Sequence, residues 1–209
     1  VFLAKLISGA IDRQTIVEEI TVPETWFFRD IDTFIFFKES INKRIRMNNN
    51  DKISILSAPC ATGEEAYSIA IQLLEAGILP NSFSITALDI SKKYLQLAKE
   101  GIYTKTSFRF EIDFLKKYFT EENGKLLINN KIKNLINFRC ENLISNDFFN
   151  SLEFFDYIFC KNVLIYLNEN ARQKVLHNLD KKLKKDGIIF SGHSEFMIFQ
   201  NYGFQAINF

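Results

Sequence analysis

From Lys52 onward the chain alternates short apolar runs with amphipathic stretches, and this rhythm constrains its fold more than any other feature. ISIL reads as a short buried strand. EEAYSIAIQLLEAG reads as a helix, with Ala66, Ile69, Ala70 and Leu73 on one face and Gly77 at its end. FSITALD alternates like a second strand, and SKKYLQLAKEG reads as a helix capped by Ser91 and stopped by Gly101. FDYIFCKNVLIYL contains a third strand, NENARQKVLHNLDKKLKKDG a long amphipathic helix ending at Gly187, and GIIFSGH a further strand. Strands alternating with helices imply an α/β fold with a mostly parallel sheet covered on both faces.

One segment interrupts the alternation. Between Gly101 and Asn142 lie a helical EIDFLKKYF and then ENGKLLINNKIKNLINFRCEN, which reads as two or three short antiparallel strands around ENGK and INNK turns. A small β insertion, at about 104–140, is expected. Upstream, residues 1–20 read as helix, with Phe2, Leu3, Leu6, Ile7 and Ala10 on one face and a second short helix beginning near Asp12. Thr21 to Thr25, with Pro23, breaks that pattern. WFFRD then leads into a helical DTFIFFKESINKRIRM, and NNND marks a turn.

Composition sets the outer bounds. The chain has 209 residues, 47% of them hydrophobic and 24% charged, which suits one ordinary globular domain with a sizeable core. A net charge of +1 gives no global pull toward nucleic acid or an anionic membrane. No apolar run approaches the roughly 20 residues needed to span a bilayer. The opening VFLAKLISGAIDRQ lacks the parts of a signal peptide and an initiator Met, so a fragment of a longer chain is expected. Cys60, Cys140 and Cys160 are odd in number and form no C-x-x-C pair. A disulfide framework or zinc site is therefore not expected, and a reducing cytoplasm fits.

In an open parallel sheet the ligand sits beyond the carboxyl ends of the strands. That rule gathers the Ser57–Glu65 turn, Asp89 at the end of the second strand, Asn142-Leu143, and Cys160-Lys161-Asn162 leading on to Tyr166. A βα turn followed by a ribose-type aspartate suggests an adenosine cofactor. The turn has one glycine where a dinucleotide fingerprint has three, and Glu64 and Glu65 at the helix N-terminus would repel phosphate. S-adenosylmethionine, with its amine and sulfonium charges, suits such a turn better than NAD or ATP. The plainer reading makes both glutamates helix caps only. Pro59-Cys60 resembles a nucleophile motif, but no histidine or other base stands near it in sequence, and without one a thiol is mostly protonated. Cys60 is read as a turn residue.

Six motifs then appear in order: ETWFFRD, LSAPCATGEEAYSIA, ALDIS, GIY, FCKNVLIYL and SGHSEF. Together they resemble the CheR family of chemotaxis receptor methyltransferases, over about Thr21 to Glu195. The resemblance implies a Rossmann-like class I S-adenosylmethionine-dependent methyltransferase fold. It also implies transfer of a methyl group to receptor glutamates, as methyl esters, in a cytoplasmic protein. Position by position, it places Thr25 and Arg29 at the cofactor and methyl-transfer centre, Glu65 on the methionine amine, and Asp89 on the ribose. Asn142 and Leu143 match the pair beside the adenine, Cys160 and Lys161 a Cys-Arg pair lining the cofactor, and Tyr166 a tyrosine near the transferred methyl. Arg29 and Tyr166 are the catalytic candidates, and no metal is implied.

The sequence departs from the family pattern at Ala61, Ala66, Lys161 and Phe196, where Ser, Pro, Arg and Asn are more usual. The resemblance further implies that 1–50 is a remnant of an N-terminal helical domain with its linker, and that 51–209 is the methyltransferase domain. The implied partners are the cytoplasmic helices of methyl-accepting receptors, met by a monomer, with no nucleic acid and no membrane insertion. The competing reading is a non-catalytic cofactor-binding or interaction module of the same fold. A nucleic-acid or small-molecule methyltransferase lacks support, since neither an N-P-P-Y-type motif nor a basic aromatic stripe is present. The compact ENGK hairpin argues against a receptor-tail tether, and the basic KESINKRIRM helix could face acidic receptor helices. His193 reads as a hydrogen-bonded strand-end residue and His177 as a surface one.

Overall fold

Successive strand residues point to opposite sides of a sheet, and here the two sides belong to two separate cores. The computed structural model describes residues 8–9, 12–47, 51–109 and 113–207. In chain order its elements are α1 (Arg13–Ile20), α2 (Ile31–Arg46), β1 (Ile53–Ser57), α3 (Glu64–Glu75), β2 (Phe83–Asp89), α4 (Lys92–Glu100), β3 (Ile102–Tyr103), β4 (Phe119–Glu122), β5 (Lys125–Ile128), α5 (Asn130–Lys133), β6 (Ile136–Cys140), α6 (Asn146–Asn150), β7 (Phe155–Cys160), α7 (Glu169–Lys182), β8 (Leu183–Ser191) and α8 (Phe196–Tyr202). Five strands form one parallel sheet in the order β6-β2-β1-β7-β8. Ile55, Ile85, Ala87, Tyr157 and Phe159 face a core shared with α2, α3 and Leu95 of α4. Leu56, Leu88, Ile158 and Cys160 face the opposite core, filled by residues of α6, α7 and α8. The α/β class with its parallel sheet is as the sequence rhythm implied.

The helix α2, within the stretch 1–50, belongs to the first core. Phe34, Phe37 and Ile41 of α2 are buried, and the Phe37 ring lies 5.1 Å from Tyr157, 5.3 Å from Phe159 and 5.9 Å from Phe190. The apolar face read at residues 1–10 lies outside the described residues, apart from Ser8 and Gly9. Ser91 does cap α4, accepting from the Tyr94 amide, and Gly101 ends it in the left-handed region.

Two expectations are corrected. The helix read as running to Gly187 ends at Lys182, and β8 begins at Leu183. The Lys182 ammonium donates to the carbonyls of Asn150 and Leu152, while Lys184 reaches Asp156, which requires extended backbone between them. The register against β7 skips from Phe155↔Leu183 to Tyr157↔Ile188, so KKDG is absorbed as a bulge. The second correction concerns the insertion. The ENGK turn does join an antiparallel hairpin, β4-β5, to which β3 adds. INNK, however, opens the short α5, and Ile136–Cys140 pairs in parallel with β2 in the main sheet. Of EIDFLKKYF, residues 113–118 form a 3-10 turn and Phe119 begins β4, while 111 and 112 lie outside the described residues.

Asp156 fastens three elements. Its carboxylate accepts from Arg44 of α2, from Lys184 of β8 and from the Ser54 amide of β1, each at 2.8 Å. Burial alone would raise its pKa, but the Lys184 bond, the Ser54 amide and the Arg44 charge outweigh it and hold the carboxyl below its usual value. A depressed folded-state pKa means the stabilisation is present at neutral pH and lost as pH falls through the acidic carboxylate range. Asp156→Asn is expected to cost about 2–3 kcal/mol at pH 7. In urea titrations the gap between variant and wild type should narrow steadily toward pH 3.

Candidate functional site

β1 and β7 are neighbours in the sheet but distant in sequence, so the helices following them leave in opposite directions and open a crevice at their carboxyl ends. A cavity of about 80 Å³ lies there, lined in part by Thr25, Arg29, Ala61, Glu65, Lys161 and Asn162. Three segments build it: Val22–Asp30, the turn after β1, and the loop after β7.

The β1 turn is shaped by close approaches. The Cys60 amide donates to the Leu88 carbonyl at 2.7 Å, and the Ala61 amide donates to Asp89 Oδ2 at 2.8 Å. Gly63 has φ +94°, and a Cβ there would lie 2.9 Å from the Ala98 Cβ. The single glycine of the turn is thus required by helix packing against α4. Glu64 turns aside to accept from the Thr62 hydroxyl at 2.6 Å. Glu65 faces the cavity and accepts the Ser57 hydroxyl at 2.8 Å on Oε1. Burial raises the Glu65 pKa and Asp30 adds to this, against the opposing pull of Lys161, Ser57 and Arg29. Burial pushes the Cys60 thiol well up, with the Asp89 and Glu65 charges adding to it. Such a thiol stays protonated at neutral pH, which agrees with a turn residue and disfavours a nucleophile.

Lys161 ties the Val22–Asp30 segment to the sheet. Its buried ammonium pairs with Asp30 Oδ2 at 2.7 Å and donates to the Arg29 carbonyl at 3.0 Å. Phe28 is fixed from the other side, its amide donating to Ser68 Oγ of α3. The Arg29 side chain lies over the Trp26 ring, 4.4 Å from its centroid, and donates to the Glu24 carbonyl. Phe28, Asp30, Ala61 and Asn162 all have positive φ, at 54°, 60°, 44° and 58°. Side chains adopt that region at a cost of about 1 kcal/mol or more each, and all four residues stand at or beside this cavity.

The loop after β7 is held by a residue whose role the sequence reading did not resolve. Glu195 is fully buried, and its carboxylate accepts the amides of Asn162, Val163 and Leu164 at 2.6–2.7 Å. The more distant Ile165 and Gly192 amides add to these. Its signal was the SGHSEF motif, read only as part of a resemblance. Asn162, gathered with that loop by the sequence reading but given no role, lines the cavity in its left-handed conformation.

The remaining candidates are dispersed. Asp89 is buried beside the cavity and accepts the Ser91 amide on Oδ1. Glu18 of α1 reaches the same turn, accepting the Ser91 hydroxyl at 2.6 Å and the Lys93 amide at 3.2 Å. Asn142 is exposed and bonds the Ile144 amide, and the Leu143 carbonyl accepts from Asn178. Both follow β6, outside the cavity lining. The Cys160 side chain faces the opposite core and does not line the cavity: strand alternation sends it away while its neighbour Lys161 turns in. Tyr166 is 79% exposed on the 3-10 turn Leu164–Tyr166, also outside the lining. His193 is exposed at the start of another 3-10 turn.

Residues 23–209 match the family model described as CheR methyltransferase, SAM binding domain. The chain belongs to this CheR methyltransferase family. It is 34% identical over 196 residues to a probable biofilm formation methyltransferase WspC of Pseudomonas aeruginosa, covering 93% of this chain and 46% of that one. It is 36% identical over 191 residues to a chemotaxis protein methyltransferase of Vibrio anguillarum, covering 88% and 68%. The chain thus spans about half the length of the WspC relative. PKMT2 of Rickettsia typhi in complex with AdoHcy aligns with a TM-score of 0.43 and 21% identity, over 67% of this chain and 20% of that one.

The CheR cofactor, S-adenosylmethionine, fits the residues present. Among the described residues Glu65 Oε2 accepts no hydrogen bond, which leaves it beside the cavity as an acceptor for an ammonium group. Each Asp89 oxygen accepts one backbone amide and retains capacity for a ribose hydroxyl. Asp89 and Asn142 stand outside the cavity lining, at the carboxyl ends of the paired strands β2 and β6. Glu195→Gln replaces one amide acceptor of the β7 loop with a donor. It should lower stability by about 2 kcal/mol and weaken S-adenosylhomocysteine binding, both read by thermal shift with and without the ligand.

Proposed function

We propose that this chain transfers a methyl group to glutamate side chains of chemoreceptor-type signalling proteins, forming glutamate methyl esters used in adaptation. The family match and the names of the relatives support the methyltransferase class. The observation that carries the finer reading is Arg29: a guanidinium at the cavity with no carboxylate partner among the described residues, beside Glu65.

When bound, S-adenosylmethionine supplies an electrophilic methyl on a sulfonium, and departs as the thioether. The protein's own residues need only hold and orient. A glutamate with an ordinary pKa near 4.3 is already ionised at pH 7, so no general base is required. Arg29 orients the incoming carboxylate through charge-assisted hydrogen bonds, held at its angle by the Trp26 ring. Glu65 receives the ammonium end of the cofactor, Asp89 the ribose, and Asn142-Leu143 flank the adenine. Thr25 lies in the same lining as Arg29. Lys161 serves the site indirectly, as the anchor of Asp30 and of the Arg29 backbone. Tyr166, exposed on the β7 loop, takes the second carboxylate oxygen when a substrate covers it. Rate enhancement then rests on alignment of the two centres and exclusion of water.

The competing module without turnover would have no use for an Arg29 that, among the described residues, forms no ion pair in the cavity. Calorimetric titration with S-adenosylhomocysteine, followed by assay of base-labile methyl esters on receptor helices, separates the two. Binding with no ester formed on any receptor helix would favour the module.

Affinity carries a pH signature. The Glu65 carboxyl is raised by burial, and its ionised form is the one that holds an ammonium. S-adenosylhomocysteine affinity should therefore weaken as pH falls, beginning above the ordinary carboxylate range. Glu65→Gln should lower affinity at least tenfold, a loss of about 1.4 kcal/mol, and flatten that pH dependence. An unchanged Kd in this variant would remove Glu65 from the cofactor seat.

A further inference from the structure

Beyond the cavity, a second cation lies against the ring that holds Arg29. Arg109 places its guanidinium carbon 3.6 Å from the Trp26 centroid, and Arg29 places its own at 4.4 Å. The segment carrying Arg109 is fixed to the Trp26 segment by backbone and by rings. The Phe27 amide donates to the Ser107 carbonyl at 2.9 Å, and the Phe27 and Phe108 rings stack with centroids 4.6 Å apart.

Neither guanidinium is paired with a carboxylate among the described residues. Among the described residues Asp30 is engaged with Lys161 and Glu64 with Thr62 and Ser107, while Glu65 feels the Arg29 charge without forming an ion pair with it. Two like charges gathered on one indole repel each other, and a guanidinium lying on a ring leaves its N–H edge free for a carboxylate. Ring contacts explain where each cation sits, but among the described residues they leave Arg109 without a carboxylate and Arg29 with only the unbonded Glu65 charge nearby.

We propose that Arg29, Trp26 and Arg109 form a reading site for two carboxylates. Arg29 takes the glutamate to be methylated, and Arg109 takes a second acidic side chain of the same peptide. This inference rests on the glutamate-methylation reading given above and adds a specificity-determining residue to it. The preferred substrate is a segment in which the target glutamate has an acidic neighbour close in space, while an isolated glutamate is methylated less efficiently.

The test uses helical peptides with one target Glu and a second Glu one, three or four positions away, and matching peptides with Gln at the second position. Wild-type chain should favour one of the two-acid peptides over its Gln partner by about tenfold in kcat/KM. In Arg109→Gln that ratio should collapse to about one, with S-adenosylhomocysteine binding reporting that the variant is folded. Arg109→Lys should restore part of the preference, since it returns the charge without the fork. A wild-type ratio near one, or a preference that survives in Arg109→Gln, would overturn the proposal. If wild-type chain binds S-adenosylhomocysteine but esterifies none of the peptides, the glutamate reading fails and this site fails with it.

Discussion

A buried ammonium must be neutralised, and the way Lys161 meets that demand assembles the site. Removing such a charge from water costs several kcal/mol unless partners of good geometry replace the solvent. Lys161 finds them in Asp30 and in the Arg29 carbonyl, both on a segment that precedes the sheet in sequence. The pair joins the end of β7 to the Val22–Asp30 segment and fixes the backbone from which Arg29 projects. Breaking it would leave the buried Lys161 ammonium with the Glu65 charge but no ion-paired or hydrogen-bonded partner, so detaching the segment is costly. A lysine can act here as a compact point charge, because the contact it makes asks for no planar fork.

The other supports follow the same pattern of polar groups spent on backbone. Glu195 is a buried carboxylate neutralised by loop amides in place of a cation. Asp89 receives amides from the β1 turn and from the start of α4, and Glu18 caps that same helix from α1. Each loop around the cavity is therefore pinned by a carboxylate or an ammonium from a different element. That arrangement sustains four non-glycine residues in the left-handed region, and it suits a reaction in which placement supplies the catalysis.

The repeating part of the fold was legible because periodicity reports burial. The strands at Ile53, Phe83 and Phe155, and the caps at Ser91 and Gly101, follow from local pattern and turn chemistry alone. What misled was context. INFRC looks like a continuation of the hairpin that precedes it, and only a long-range pairing with β2 makes it a parallel strand. The end of α7 was obscured because lysines suit a helix end equally well, and the contacts of Lys182 and Lys184 that stop it lie far away in sequence. At the site, Thr25, Arg29, Glu65 and Lys161 do line one cavity. Cys160 does not, because alternation along β7 turns it inward, and the work of Glu195 on backbone amides left no periodic trace.

The most direct test of the account is a crystal structure of this chain with S-adenosylhomocysteine. The account predicts the amino group on Glu65, the ribose hydroxyls on Asp89, and the sulfur turned toward the Arg29 side of the cavity. A ligand bound away from the β1 turn, or reversed with its adenine against Glu65, would contradict it.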